Sequence, residues 1–240
     1  MSEKKSLAAL LIDLLRRLAA WLTAETERDF DDANRSPAAE VERAAESGSP
    51  QNEGDHDKPK EDKMRIAISS GHGAKIPGAV GLLVEVREAR RVTRRVAQML
   101  REAGAEVAEF HDDDSETVAA NINSIVGWHN AHERDMDVSV HFNAFRPTDG
   151  PMGAEVLYLS AREAAAKVSA AIAAAGGFRD RGARHRTDLG FLNRTGKPAI
   201  LLEVCFVDSA ADARLFGESF DGICAAIARS LRECLESGGR

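Results

Sequence analysis

Residues 65 to 79 read "RIAISSGHGAKIPGA", an alternating apolar run that stops at a histidine, His72, held between two glycines. Core packing requires no such arrangement, so this histidine is either a loop accident or a ligand. A second histidine, His141, ends another strand-like run in "DVSVHFNA", and Glu85 opens a helix-like stretch, where the macrodipole favours an ionised carboxylate. Two imidazoles and one carboxylate with an open fourth position suit zinc, a borderline-soft cation. For a lone histidine a structural place is the commoner reading; three such residues converging on one edge of a fold favour the metal.

A fourth residue stands out by its setting. In "PAILLEVCFVD", Glu203 sits inside a nearly unbroken apolar run, which is how a central parallel strand buried on both faces reads. An unpaired buried carboxylate costs on the order of several kcal/mol, so Glu203 must be protonated, paired or close to a cation. Burial raises its pKa toward neutrality, which suits a general base that later returns the proton. The alternative is a structural carboxylate paired with an arginine of the 179–186 stretch.

The elements that must position these residues alternate along the chain. "MRIAIS", "AEVAEF", "DVSVHF", "AEVLYL" and "PAILLEVCFV" read as strands. Between and after them, Glu85 to Ala103, Ser115 to Glu133, "AREAAAKVSAAIAAA" and "FDGICAAIARSLRECL" read as helices. This order predicts an α/β fold, a mostly parallel twisted sheet with helices on both faces. In such sheets ligands sit beyond the carboxyl ends of strands, where His72 and His141 both fall.

Composition bounds the rest. The net charge of -7 and only 5% aromatic residues exclude a phosphate-backbone binder, so no nucleic-acid partner is expected. Three cysteines without C-x-x-C spacing suggest neither a disulfide framework nor a cysteine zinc site. Residues 1–28 carry a leucine-rich face (Leu7, Leu10, Leu11, Leu14, Leu15, Leu18, Trp21) and read as an amphipathic helix for a partner, a membrane surface or itself. Asp13, Arg16 and Arg17 break its apolar stretch, so neither a cleavable signal nor a transmembrane segment is expected. Residues 29–63 are rich in Asp, Glu, Ser, Gly and Pro and read as a disordered linker, leaving 64–240 as the folded catalytic domain. Met64, at the head of the first strand, stands where a second translation start would yield that domain alone.

Together, "SSGHGAKIPGAVG", the Glu85 of "LVEVREARRV", "SVHFNA", "GAEVLYL" and "LLEVCFVDSAADARLF" resemble the zinc-dependent N-acetylmuramoyl-L-alanine amidases known as amidase 3, especially phage and prophage endolysins. The resemblance runs from residue 64 to 236. It implies a zinc ion held by His72, Glu85 and His141, with Glu203 as catalytic acid/base. The implied reaction is hydrolysis of the amide between the lactyl group of N-acetylmuramic acid and L-alanine of the stem peptide in peptidoglycan. It also implies substrate contacts at Asn143, Arg184 and Asn193. Without a signal, an endolysin-like enzyme is expected to be made in the cytoplasm and to act on the wall after release.

Several readings compete. Glu88 lies three residues after Glu85 on the same helical face and is the alternative ligand. Ala74 stands where the family often has a second glycine, Val204 and Cys205 stand where many relatives have a Leu-Gly pair, and Cys205 reads as a buried inert thiol. His129, His132 and Glu133 have helical spacing that mimics a metal site but fall remote from the strand edge. "HDDD" at 111–114 reads as a solvated loop and helix cap, and "FRDRGARHR" at 178–186 as a basic loop. A catalytically silent wall-binding module of the same fold, or a zinc amidohydrolase or peptidase acting on another amide, are the alternative functions.

Overall fold

The computed structural model describes residues 63–238; the helix expected over 1–28 and, apart from Lys63, the linker over 29–63 lie outside the described residues. Six strands form one sheet: β1 Arg65–Ser70, β2 Glu106–Phe110, β3 Met136–Asn143, β4 Ala154–Tyr158, β5 Asp180–His185 and β6 Ala199–Phe206. The helices are α1 Glu85–Glu102, α2 Val118–Ala131, α3 Arg162–Gly176, α4 Gly190–Arg194 and α5 Ala210–Gly238. Strand order is β2-β1-β3-β6-β4-β5, with β4 antiparallel to β6 and every other pairing parallel. The expected mostly parallel α/β sheet is the fold observed. Among the described residues no helix is long and apolar enough to cross a membrane.

The two faces of the sheet are unequal. On one, Ile66, Ile68, Val138, Val140, Ile200 and Leu202 pack with Val92, Val96 and Leu100 of α1, Val168 and Ile172 of α3, and Ile223, Ile227 and Leu231 of α5. Each large apolar side chain buried here contributes about 1.5–3 kcal/mol, so this face is the rigid base. The smaller cluster on the other face joins Ile125 of α2, Phe191 and Leu192 of α4, and Leu157, Ala199 and Leu201 of the sheet. Strands alternate sides every residue. Glu203, two residues from Leu201, and Glu155, two from Leu157, therefore stand on the side of the smaller cluster.

Element boundaries differ from the sequence reading for identifiable reasons. The helix expected from Ser115 starts at Val118, because Asp112 Oδ1 accepts the Asp114 and Ser115 amides and the Thr117 hydroxyl caps the Ala120 amide. Asp112 is buried and also accepts from Asn121 Nδ2 at 2.7 Å, so "HDDD" contains an anchor rather than a solvated cap. The closing helix begins at Ala210, well before the expected Phe220, with Ser209 Oγ accepting the Asp212 amide. The stretch 178–186 is not a loop: its centre is β5, a charged edge strand, and charge on an edge hides the period-2 signal while guarding against unwanted pairing.

Candidate metal centre

The glycines around His72 serve a histidine distant in sequence. A Cβ on Gly71 would lie 1.9 Å from Nε2 of His141, so the ring of His141 rests directly on the Gly71 backbone. Gly78 does the same for the other two groups: at φ +70°, its Cβ would fall 2.4 Å from Glu85 Oε2 and 2.6 Å from His72 Cδ2. Two side-chain-free positions thus open the volume into which His72, Glu85 and His141 project.

Glu85 is the hub. Its Oε1 lies 3.1 Å from His72 Nε2 and 3.0 Å from His141 Nδ1. The same oxygen accepts the Phe142 amide at 3.1 Å, and Oε2 accepts the Ala79 amide at 2.7 Å. Burial pushes the Glu85 carboxyl upward, but the hydrogen bonds from His141 and His72 outweigh it and hold its pKa well below the usual carboxylate range. The carboxylate is therefore ionised. One ligand atom from each residue lies within 4.8 Å of the others, and among the described residues no other group of three His, Cys, Asp or Glu converges so. A tetrahedral site with bonds of about 2.0 Å has edges of about 3.3 Å, close to the carboxylate–imidazole separations found. The residues present fit a zinc ion.

Glu88 faces elsewhere. Its carboxylate accepts from Arg87 Nε at 3.0 Å and from Arg91 at 2.6 Å, outside the cluster. The mimic site also dissolves. His129 bonds Asp137 through Nδ1 (2.8 Å) and Ser69 through Nε2 (2.9 Å), His132 Nδ1 bonds the Trp128 carbonyl, and Glu133 pairs with Arg65. Ser69–His129–Asp137 has the connectivity of a nucleophilic triad, but all three residues are fully buried, so the string fastens α2 to the sheet and meets no substrate. Cys205 is also buried, and burial pushes its thiol pKa well above the ordinary value, leaving it inert.

Glu203 lies in register between His141 of β3 and Glu155 of β4. Its Oε2 is sealed from solvent without a hydrogen-bond partner. Burial, and then the charges of Glu85 and Glu155, push its pKa well above the usual carboxylate range, with Arg186 opposing. The structural alternative required an arginine of 179–186 as partner. Arg181 instead bonds Glu155, Nε to Oε2 at 2.7 Å, while Arg186 grips Asp188 at 2.7 and 2.8 Å.

The remaining expected contacts are placed as follows. Asn143, beyond a bulge that follows His141, donates its amide to Glu155 Oε1 at 2.9 Å. Asn193 donates to the carbonyls of Thr187 and Leu189 and holds the turn before α4. Arg184 Nε stands 3.7 Å from Glu155 Oε2 with over half its side chain exposed. Glu155 and Arg181 are additional neighbours of the site; Glu155 carries the same signal as Glu203, a carboxylate inside an apolar strand run.

Comparison with known proteins bears on this geometry. The Amidase_3 family, described as N-acetylmuramoyl-L-alanine amidase, matches residues 66–233, well over half the chain. An uncharacterised protein of Clostridium perfringens is 28% identical over 163 residues, covering 65% of this chain and 47% of its own. The chain thus spans about half the length of the curated relatives it matches. Among solved structures, the amidase CwlV of Bacillus (Paenibacillus) polymyxa superposes with TM-score 0.63 at 29% identity, covering 72% of this chain and 98% of that one. Amidase AmiC2 of Nostoc punctiforme gives 0.64 at 26%, over 72% and 97%. The catalytic domain of the CD27L endolysin shares the fold, with TM-score 0.65 at 23% identity over 71% of this chain and 97% of that one.

Proposed function

The chain belongs to the Amidase_3 family of N-acetylmuramoyl-L-alanine amidases, and from that membership we propose that it hydrolyses the amide joining N-acetylmuramic acid to L-alanine of the peptidoglycan stem, with zinc as its metal. The observation that carries the reading is the convergence of His72, Glu85 and His141 beside Glu203, whose sealed oxygen has no partner. His72, Glu85 and His141 would hold the ion. Zinc, when bound, supplies a Lewis acid that acidifies water and polarises an amide carbonyl.

The chain's own groups do the rest. Glu203, whose Oε2 has no hydrogen-bond partner among the described residues, accepts a proton from the attacking water. The new C–O bond forms at the lactyl carbonyl carbon. Glu203 then returns that proton to the alanine nitrogen as the C–N bond breaks, giving a lactyl carboxylic acid and a free amine. Glu85 is spent on His72, His141 and two backbone amides, so it positions and does not shuttle protons.

Incubation of purified peptidoglycan with the protein, followed by mass spectrometry, tests the reaction. Free alanine amino groups and intact glycan strands are expected, and their appearance should stop when a chelator removes the metal. Cleavage of glycosidic or interpeptide bonds instead would sink the reading. We propose the lytic setting of a phage or prophage enzyme with it, made in the cytoplasm and acting after release. Expression in cells should then cause lysis only when the inner membrane is permeabilised; lysis without permeabilisation, or none with it, contradicts that setting.

A further inference from the structure

β5 is irregular where it passes Glu155. Ala154 of β4 pairs with Asp180 and Val156 pairs with Ala183, so Arg181 and Gly182 both stand opposite the single residue Glu155. A bulge of this kind re-aims a side chain and recurs beside active sites. Gly182 takes φ +77°, which glycine adopts without strain, and its amide is held by Asp180 Oδ1 at 2.8 Å. The side chain aimed by this bulge is Arg181. Its Nε donates to Glu155 Oε2 at 2.7 Å, its guanidinium carbon lies 4.9 Å from the centre of the Phe206 ring, and only 25% of the side chain is exposed. Phe206 is in turn the register partner of Asn143, whose amide donates to the other oxygen of Glu155 at 2.9 Å. Strands β3, β4, β5 and β6 thus each supply one member of a clamp around one carboxylate.

The clamp bears on the residue beside it. Glu155 is the antiparallel register partner of Glu203, and side chains directly opposed in this way have Cβ atoms about 4.5–5.5 Å apart. Released from Arg181, Glu155 would have an oxygen to satisfy, and opposite it stands the sealed Glu203 Oε2, which has no partner of its own. Two carboxyls so placed share one proton and bond to each other. Arg184, 3.7 Å from the same Glu155 oxygen and more than half exposed, is too distant to take over. We infer that Arg181 is a positioning residue for the reaction: by holding Glu155 it prevents a Glu155–Glu203 carboxyl pair and keeps the Glu203 oxygen free for the proton of the attacking water. The inference rests on the amidase reading for the use of that proton, and on the bulge and the clamp alone for the part played by Arg181. Arg181 acts through Glu155 and touches no substrate.

Arg181→Met keeps an unbranched chain against Phe206 and removes the charge. In the full chain with zinc, kcat on a soluble muramoyl peptide should fall about 10–100-fold, a part of the 10²–10⁴-fold that a proton carrier supplies, with KM and bound zinc little changed. Arg181→Lys, which can still donate to Glu155, should recover most of the turnover. A double-mutant cycle decides the route: with Glu155→Gln as background no second carboxyl faces Glu203, and Arg181→Met should then cost less than about threefold. Equal losses in both backgrounds, near-normal kcat in Arg181→Met, or a rise in KM alone overturns the inference. Should Arg181→Met lose the fold by circular dichroism, Gly182→Ala, strained by its positive φ but free of any clash, shifts the same guanidinium through the backbone and is read by the same cycle. If the unaltered chain cleaves no muramoyl amide, the amidase reading fails on its own. Carbon-13 NMR of the glutamate carboxyls then decides the clamp: a Glu155–Glu203 hydrogen bond present in Arg181→Met and absent from the unaltered chain upholds it, and the same state in both overturns it.

Discussion

Glu203 and Glu155 stand directly opposite each other on antiparallel neighbours β6 and β4, and only Glu155 is neutralised. Two side-by-side carboxylates within one sheet repel unless one is paired. Arg181 and Asn143 hold Glu155, which leaves Glu203 as the group whose protonation is free to change. Glu203→Gln should therefore keep the fold and the metal but lower kcat about 10²–10⁴-fold. Steady-state kinetics together with elemental analysis check this; near-normal turnover would return Glu203 to a structural role.

The contact between Gly71 and His141 predicts a metal phenotype from the smallest possible change. Gly71→Ala places a methyl 1.9 Å from the His141 ring, so the ring must move. Zinc affinity should fall by about 100-fold or more, given that even outer-sphere changes cost 10–100-fold. Gly127→Ala on α2, where a Cβ meets nothing within 4 Å, should leave affinity unchanged. Competition with a zinc-binding dye distinguishes the two variants, and equal affinities would contradict the packing argument.

Zinc removal should stabilise nothing and destabilise measurably. One ligand atom from each of His72, Glu85 and His141 lies within 4.8 Å of the others, and a ligand bound only by the native state adds RT ln(1 + [L]/Kd) to stability. The midpoint of thermal unfolding should drop on dialysis against chelator and recover on zinc addition. A midpoint indifferent to zinc would argue against a native-state site.

The buried Ser69–His129–Asp137 string gives a pH signature of stability. Burial lowers the folded pKa of His129 from its ordinary 6.5, against the pull of Asp137. Below about pH 6.5 the unfolded chain takes up a proton that the folded chain refuses, so stability falls as pH drops through this range. Asp137 acts in the same direction at lower pH: burial raises its pKa, but bonds from His129 and Arg134 win and hold it below the usual value. Denaturant melts from pH 8 to 5 should show this loss. In His129→Asn the slope nearest pH 6 should flatten, and an unaltered slope would assign it elsewhere.

A chain beginning at Met64 should fold and act on soluble muropeptides at close to the full-length rate. Every proposed site residue lies beyond that point, and the described residues from there on belong to one compact unit. Circular dichroism and kinetics on small fragments are the check. Retained zinc with lost turnover would mean that residues 1–63 complete the site.

Much of this site is legible in the sequence because its residues violate their surroundings. Glu203 breaks an apolar strand, and His72 and His141 each end one, so strand rules alone bring them to one edge. What local sequence conceals is reciprocity. Gly71 looks like a companion of His72, yet the space it leaves is occupied by His141. Glu155 sits in "AEVLY" as anomalously as Glu203 does in its own strand, but its partner Arg181 belongs to a stretch so charged that it reads as a loop. The Ser69–His129–Asp137 string is hidden for a similar reason: a polar network within one side of a sheet leaves no apolar periodicity to find.

The order of strands has a consequence for the newborn chain. β6 is the last strand to be synthesised and yet lies in the interior of the sheet, bridging β2-β1-β3 on one side and β4-β5 on the other. Until it enters, the two halves share no backbone ladder, and Glu203, the proposed proton carrier, is absent from the cleft. His72, Glu85 and His141 come together across 56 residues between Glu85 and His141, so an unfinished polypeptide has donors for the ion before it has the proton carrier. On the amidase reading, the keystone strand makes hydrolytic competence the final event of assembly, and a chain cut short before β6 lacks the proposed proton carrier even where all three metal donors are already made.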